Sequence, residues 1–223
     1  MLRSVLLMLI KWLCHVRYTS FARIITIGIC GGGGSIFMFN HTYDNIITLE
    51  NILSVWNHFV RGKRNKKDVI LFSMNLADNV YELFTDLHKK NYKHSGYQAF
   101  NISDPKPRNI HKAVVRDRVL HHLLYKELYW YFDNRFIYDS YSCRKYKGTH
   151  KAFQRFRFFA GKVSHNHTKT CYVLKCDIKK FFASIDHRIL FDILSRYITD
   201  PDIMYLIKEV VSSFYSTCPG VGL

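Results

Sequence analysis

Asp177 closes the run TCYVLKCD, residues 170–177, and IKKFF follows at once. A carboxylate delivered at the C-terminal end of a β-rich run, in a chain whose cations lie in separate upstream segments, suits a divalent metal held against phosphates. Oxygen ligands favour magnesium, which keeps several waters and takes one or two protein carboxylates beside substrate oxygens. The same residue type in the same place also starts helices, its carboxylate capping free backbone N–H groups. Taken alone Asp177 fits either role, and the cap is the commoner one. Asp186 lies nine residues on, directly ahead of HRIL.

The rest of the composition says what such a carboxylate would meet. The chain has 223 residues, 33 Lys and Arg against 17 Asp and Glu, and a formal charge of +16. A polyanion is the favoured partner, nucleic acid before a membrane surface. A hydrophobic fraction of 48% supports a folded core and argues against disorder. The six cysteines are scattered with neither a C-x-x-C pair nor histidines at zinc-site offsets, which suits a reduced, cytoplasmic protein. In the opening MLRSVLLMLIKWL, Lys11 interrupts an apolar run too short to span a bilayer, and no small-residue cleavage site follows closely.

Stepping along the chain, residues 1–40 read as a basic extension ending in the glycine-rich CGGGGS, a linker and not a phosphate loop, since no Gly-Lys-Ser/Thr follows. Spacings of three and four predict a helix from Tyr43 (Ile46, Leu49, Ile52, Leu53, Trp56), with Thr48 or Asn45 as caps. A second helix is predicted through Val69, Phe72, Leu76, Val80, Leu83 and Leu87. Between them RGKRNKK packs five cations into seven residues, a loop that is either a solvated turn or a contact to phosphate backbone. Aromatic and polar residues alternate around Asp104-Pro105-Lys106-Pro107, predicting two strands joined by a basic tip. A helix over about 114–133 follows, then the short strand 170–177, then two helices parted by Asp200-Pro201. The last carries Ile203, Leu206, Ile207, Val210, Val211 and Phe214 on one stripe, read as core.

The stretch VLKCDIKKFFASIDHRIL resembles the first catalytic motif of reverse transcriptases, RNA-directed DNA polymerases. It is most similar to the bacterial retroelement type: group II intron, retron and diversity-generating enzymes. DPKPRNIHKAVVRDRVLHHLL and FIYDSYSCRKYKGTHKAFQRF resemble the two preceding motifs of that family, in order, so that the resemblance covers about 43–223. It implies an α+β right-hand polymerase fold with fingers and an incomplete palm, the thumb absent. The expected division is an extension at 1–40, fingers at 41–118, the first part of the palm at 119–188, a helical return to the fingers at 189–217, and the start of the palm's continuation at 218–223.

Carried over residue by residue, the resemblance makes Asp177 the aspartate that binds both catalytic magnesium ions, and Ile178 the residue whose backbone carbonyl completes one shell. Phe182 becomes the ring under the incoming sugar that excludes a 2′-hydroxyl, and Phe181 a core residue. Asp186 becomes a helix cap. Arg108, eight residues before Arg116, becomes the arginine that grips the triphosphate, with Lys106 beside it; a planar fork and a point charge make a sensible phosphate pair. Arg116, Arg118 and Arg144 are typical of the family, as template contacts or as salt-bridged scaffold. Lys147, Gly148, Thr149 and His150 resemble a template-side loop. The implied partners are an RNA template, a DNA or RNA primer and deoxynucleoside triphosphates, with no membrane. The family's Tyr-x-Asp-Asp segment, source of the remaining metal ligands, is not found in the chain. The chain is accordingly expected to be inactive as a polymerase alone. The alternative is a basic RNA-binding protein that keeps the fold without the chemistry.

Overall fold

A computed structural model describes residues 39–223 except 104, 106 and 217. The expected extension and linker lie outside the described residues apart from Phe39 and Asn40, and Lys106 lies outside them as well. Phe39 is buried, its ring edge-on to Tyr131 with centroids 5.3 Å apart.

The first predicted helix forms as two pieces, α1 (Tyr43–Ile46) and α2 (Leu49–Phe59). Thr48 caps α2, its hydroxyl accepting from Asn51 N at 3.1 Å. Asn45 is not a cap: it lies within α1, and its carbonyl accepts from the Asn51 side chain at 3.0 Å. The second predicted helix also breaks, into α3 (Lys67–Met74) and α4 (Leu76–His88), at the non-helical Asn75. Asparagine readily leaves helical geometry for local hydrogen bonds, and the Asn79 amide spans the joint to Phe72 O at 3.0 Å.

The predicted hairpin is present as β1 (Tyr97–Ser103) and β2 (Pro107–Ala113), antiparallel with Tyr97 opposite Ala113 and Ile102 opposite Arg108. It leads into α5 (Val115–Asp133), the central helix, which packs against α2 and α4. Val119, Leu120, Leu123, Leu128, Tyr129 and Phe132 are all buried, on more than one side of α5. A helix covered all round loses the single-stripe pattern of a surface helix. Asp117 and His121 are buried on it as well.

Then follow α6 (Thr149–Val163), a 3₁₀ turn (Phe182–Ser184), α7 (His187–Ser195) and α8 (Pro201–Ser212). Asp186 caps α7 by accepting from Arg188 N at 2.8 Å and Ile189 N at 3.2 Å. Asp200 caps α8 in the same way, with Pro201 in the first turn, where a missing N–H costs nothing. The stripe Ile203, Leu206, Ile207, Val210 and Val211 is buried, and Phe214, past the helix end, is half-buried.

Two expectations change. Residues 170–177 are not a strand: they run as irregular chain, with Tyr172 95% and Leu174 87% exposed. A strand exists only when its N–H and C=O groups meet a neighbouring ladder, and the only sheet among the described residues is the two-stranded hairpin. Thr149 and His150 are not loop residues but the first turn of α6, which Gly148 enters at φ 119°. The fold therefore mixes helices with one small sheet, an α+β arrangement.

Candidate active site

The chain from Phe182 to His187 is clamped by residues 218–223. Leu223 N donates to Phe182 O at 3.0 Å, Gly222 N to Ile185 O at 2.8 Å, and His187 N to Gly220 O at 2.9 Å. The buried His187 adds Nε2 against Gly222 O at 2.8 Å. Gly222 has φ 94°, and a Cβ there would lie 2.5 Å from Ser216 Cβ, so both backbone and space demand glycine.

This clamp holds Phe182 in the wall of a cleft of about 380 Å³. The hairpin contributes Tyr97, Phe100, Ile110 and His111 to its lining, while Phe59 and His121 come from the helical core and Phe214 and Leu223 from the C-terminal side. The volume and the largely aromatic lining are those of a small-molecule pocket. Three cations also line it: Lys63, Lys112 and Arg118. Asp68 binds two of them, Lys112 Nζ at 2.7 Å and the Arg118 guanidinium. Partial burial pushes the Asp68 carboxyl upward, but Lys112 and Arg118 outweigh it and hold the group below the usual carboxylate range. Lys63 donates to Phe59 O at 2.9 Å and lies over the Phe59 ring. Desolvation, then Arg118, depress its pKa. One carboxylate among three cations leaves the cleft positive, which suits an anionic ligand.

Behind the hairpin is a buried polar network. Asp117 accepts from Tyr92 Oη at 2.7 Å and from Ser95 N at 3.0 Å. His94 stacks on His121 with their Nε2 atoms 3.1 Å apart, and Tyr97 Oη lies 3.3 Å from His94 Nε2 and 2.7 Å from Ser213 Oγ. The network fixes the base of β1 to α5 and to the end of α8.

The residues singled out in the sequence occupy different settings. Phe182 is in the cleft wall. Arg108 is exposed on β2, on the same strand face as Ile110 and Lys112, and its side chain has no hydrogen bond or ion pair among the described residues. Arg116 pairs with Asp86, donates to Lys93 O at 3.3 Å and lies over the Tyr92 ring. Arg144 spends all five N–H groups on the scaffold: Asp133 carboxylate and carbonyl oxygens, and the carbonyls of Ile137 and Ser140. Lys147 donates to Tyr138 O over that residue's ring, and burial lowers its pKa. Thr149 is exposed at the start of α6. Phe181 is partly buried against the core.

Asp177 and Ile178 are exposed just ahead of the clamped turn, and Asp177 has no partner among the described residues. Its free carboxylate is the donor type a magnesium ion takes, and one such ligand suffices for an ion carried largely by substrate phosphates. A pair of ions needs more, and no group of three or more His, Cys, Asp or Glu that could hold a metal occurs among the described residues.

The sequence reading missed His94, Asp117, His121 and Lys112; it placed Lys63 only in a basic loop and Phe214 only on a core stripe. Asp117 and His121 did carry a signal: polar residues at i and i+4 inside an apolar helix share one face.

The family of the reverse transcriptase (RNA-dependent DNA polymerase) matches residues 88–220, a span that begins at the end of α4 and takes in the hairpin, Asp177, α8 and all of the cleft lining except Phe59, Lys63 and Leu223. More than half of the chain lies in that match, and the chain belongs to the reverse transcriptase family. No curated protein matches it as a close relative. No described helix is long and apolar enough to cross a membrane.

Proposed function

We propose that the chain is the nucleotide-gripping part of an RNA-directed DNA polymerase of the bacterial retroelement type. It extends a DNA or RNA primer on an RNA template in a right-hand polymerase fold, with fingers to residue 118 and palm beyond. The supporting observation is the cleft: Phe182 and the β1–β2 hairpin both line it, and the hairpin's second strand also carries Arg108, whose side chain has no partner among the described residues. In this reading Arg108 and Lys106 take the triphosphate, and the Phe182 ring crowds the sugar where a 2′-hydroxyl would stand. Asp177 and the Ile178 carbonyl would hold magnesium, which when bound supplies charge neutralisation for phosphoryl transfer. Because these 223 residues hold no Asp-Asp pair, catalysis requires carboxylates beyond Asp177. Arg116, Arg144, Lys147 and Thr149 border the template, the two arginines mainly as braces. The setting is cytoplasmic.

The test is primer extension on an RNA template with deoxynucleotides and magnesium, using the chain joined to a polypeptide that carries a Tyr-x-Asp-Asp segment. Asp177→Ala should abolish extension, and extension that survives refutes its role. Phe182→Ala should admit ribonucleotides; unchanged sugar discrimination would remove the gate.

A charge of +16 also favours a second reading, an RNA-binding protein that uses the fold without chemistry. Its RNA affinity would be indifferent to Asp177→Ala.

A further inference from the structure

A second groove, of about 560 Å³, lies along α6 and the turn that follows it, and its lining shares no residue with the cleft. Gln154, Arg157, Phe158, Gly161 and Lys162 stand at i, i+3, i+4, i+7 and i+8 on one face of the helix, and Asn166 and His167 complete the lining. Phe158 is 58% exposed on this polar face, whereas Phe153, Phe156 and Val163 fall on the other side of the helix. Gly161 leaves the space beside that ring open. A Cβ placed there would meet no atom within 4 Å, so packing inside the chain does not call for glycine, a costly residue to hold in a helix.

The turn is built at a cost as well. His165, Asn166 and His167 have φ of 48°, 59° and 68°, and left-handed residues other than glycine occur singly, not in threes. The buried Ser164 fastens them: its Oγ accepts from His167 N at 2.8 Å, while Asn166 N donates to Gly161 O at 2.7 Å. This unfavourable backbone is what sets Asn166 and His167 in the groove wall. The surrounding charge has one sign. Between Ser140 and Cys176 the chain holds nine Lys and Arg and no Asp or Glu. Neither the Arg157 nor the Lys162 side chain has a hydrogen bond or ion pair among the described residues.

We propose that this groove binds one nucleotide of a single-stranded RNA, its base stacked on Phe158 over Gly161 and its flanking phosphates held by Arg157 and Lys162. Rings set among cations take single strands without regard to sequence, because every base has a face to stack. A docked protein helix or strand would need a continuous apolar stripe, which this face lacks, and an acidic peptide would leave the ring and the open space beside it unused. The site gives the chain a hold on RNA apart from the cleft and from Asp177, whichever of the two functional readings is right.

The test is fluorescence anisotropy of a labelled oligouridylate with the 223-residue chain. Phe158→Ala should weaken binding about fivefold or more, the worth of one stacked base. Gly161→Leu fills the groove without altering charge and should weaken binding by a similar factor; leucine favours the helix over glycine, so the variant keeps its fold. Arg157→Gln with Lys162→Gln should lower the salt slope by about 1.4 log units per tenfold change in salt. On the unsubstituted chain, 4-thiouridine in the same oligonucleotide should crosslink under ultraviolet light within residues 154–167. Unchanged affinity in either Phe158→Ala or Gly161→Leu, an unaltered slope, or crosslinks confined to other segments overturns the proposal. Polyglutamate that Gly161→Leu weakens as much as RNA also overturns it, by marking the groove as an acidic-peptide site. The polymerase reading is judged separately, by primer extension; absence of any RNA binding defeats both this proposal and the RNA-binding reading.

Discussion

At the scale of single residues, burial decides roles that residue type leaves open. Asp186 and Asp177 look alike in sequence, yet one caps α7 and the other faces solvent with no partner among the described residues. The cap was legible because a carboxylate ahead of an apolar helical run has few better uses. The burial of Asp117 and His121 was not, since it depends on elements that arrive from both ends of the chain. His122, next along α5, has Nε2 buried without a partner among the described residues and its ring edge-on to Phe59 at 5.3 Å. Desolvation, followed by the charge of Lys63, lowers its pKa from 6.5 to about 4. Between those two values the unfolded chain binds a proton that the folded chain refuses, so stability should fall as pH drops from 6.5 and stop responding to this group below about 4. Urea midpoints across that range should show a shallower slope for His122→Gln than for the parent, with His121 supplying part of the remainder. Equal slopes would show that His122 is not held neutral.

At the scale of elements, local signals were read well where an element satisfies itself. The hairpin, α5, and the pair α7 and α8 follow from spacing, turn residues and caps. Residues 170–177 were misread because β-rich composition says nothing about whether a ladder partner is at hand. The helix α6 was missed for a related reason: none of its residues is buried, and Phe153, Phe156, Phe158 and Phe159 do not keep to one face. The clamp that seats Phe182 was likewise invisible, since it is made of backbone hydrogen bonds from residues beyond the second helix pair. It rests on Gly222, so Gly222→Ala should cost about 2 kcal/mol through the left-handed backbone alone. Ser216→Gly should relieve the side-chain part of the crowding but leave Ser216 N 2.9 Å from the new Cβ, and the left-handed backbone cost with it. Faster hydrogen exchange at the amides of Gly222 and Leu223 would report the loosened clamp, and unchanged exchange would show that it tolerates a side chain.

At the scale of the whole molecule, charge and family were the most legible properties. An excess of cations predicts polyanion binding without naming a groove, and the family match at residues 88–220 names the polymer chemistry without showing which residues the chain leaves free. The two arginines closest to the motif cores, Arg116 and Arg144, prove to be heavily engaged inside the protein. Exposed cations such as Arg61, Arg64 and Lys66 are therefore expected to carry the phosphate contacts. Affinity for single-stranded RNA should fall by about 0.7 log unit per tenfold rise in salt for each phosphate contacted. Replacing Arg61 and Arg64 by alanine should make that slope measurably shallower, whereas an unaltered slope would place the contacts elsewhere.

Asp200 carries a consequence for how the molecule is made. One of its oxygens caps α8, while the other accepts from Tyr43 N at 2.8 Å across 157 positions of sequence. On a ribosome adding about 5–20 residues per second, α1 leaves the tunnel many seconds before its anchor exists. The Tyr43 hydroxyl can reach its partner, Leu87 O at 2.7 Å, long before that, but the cap on the N-terminal end of α1 waits until α8 has emerged.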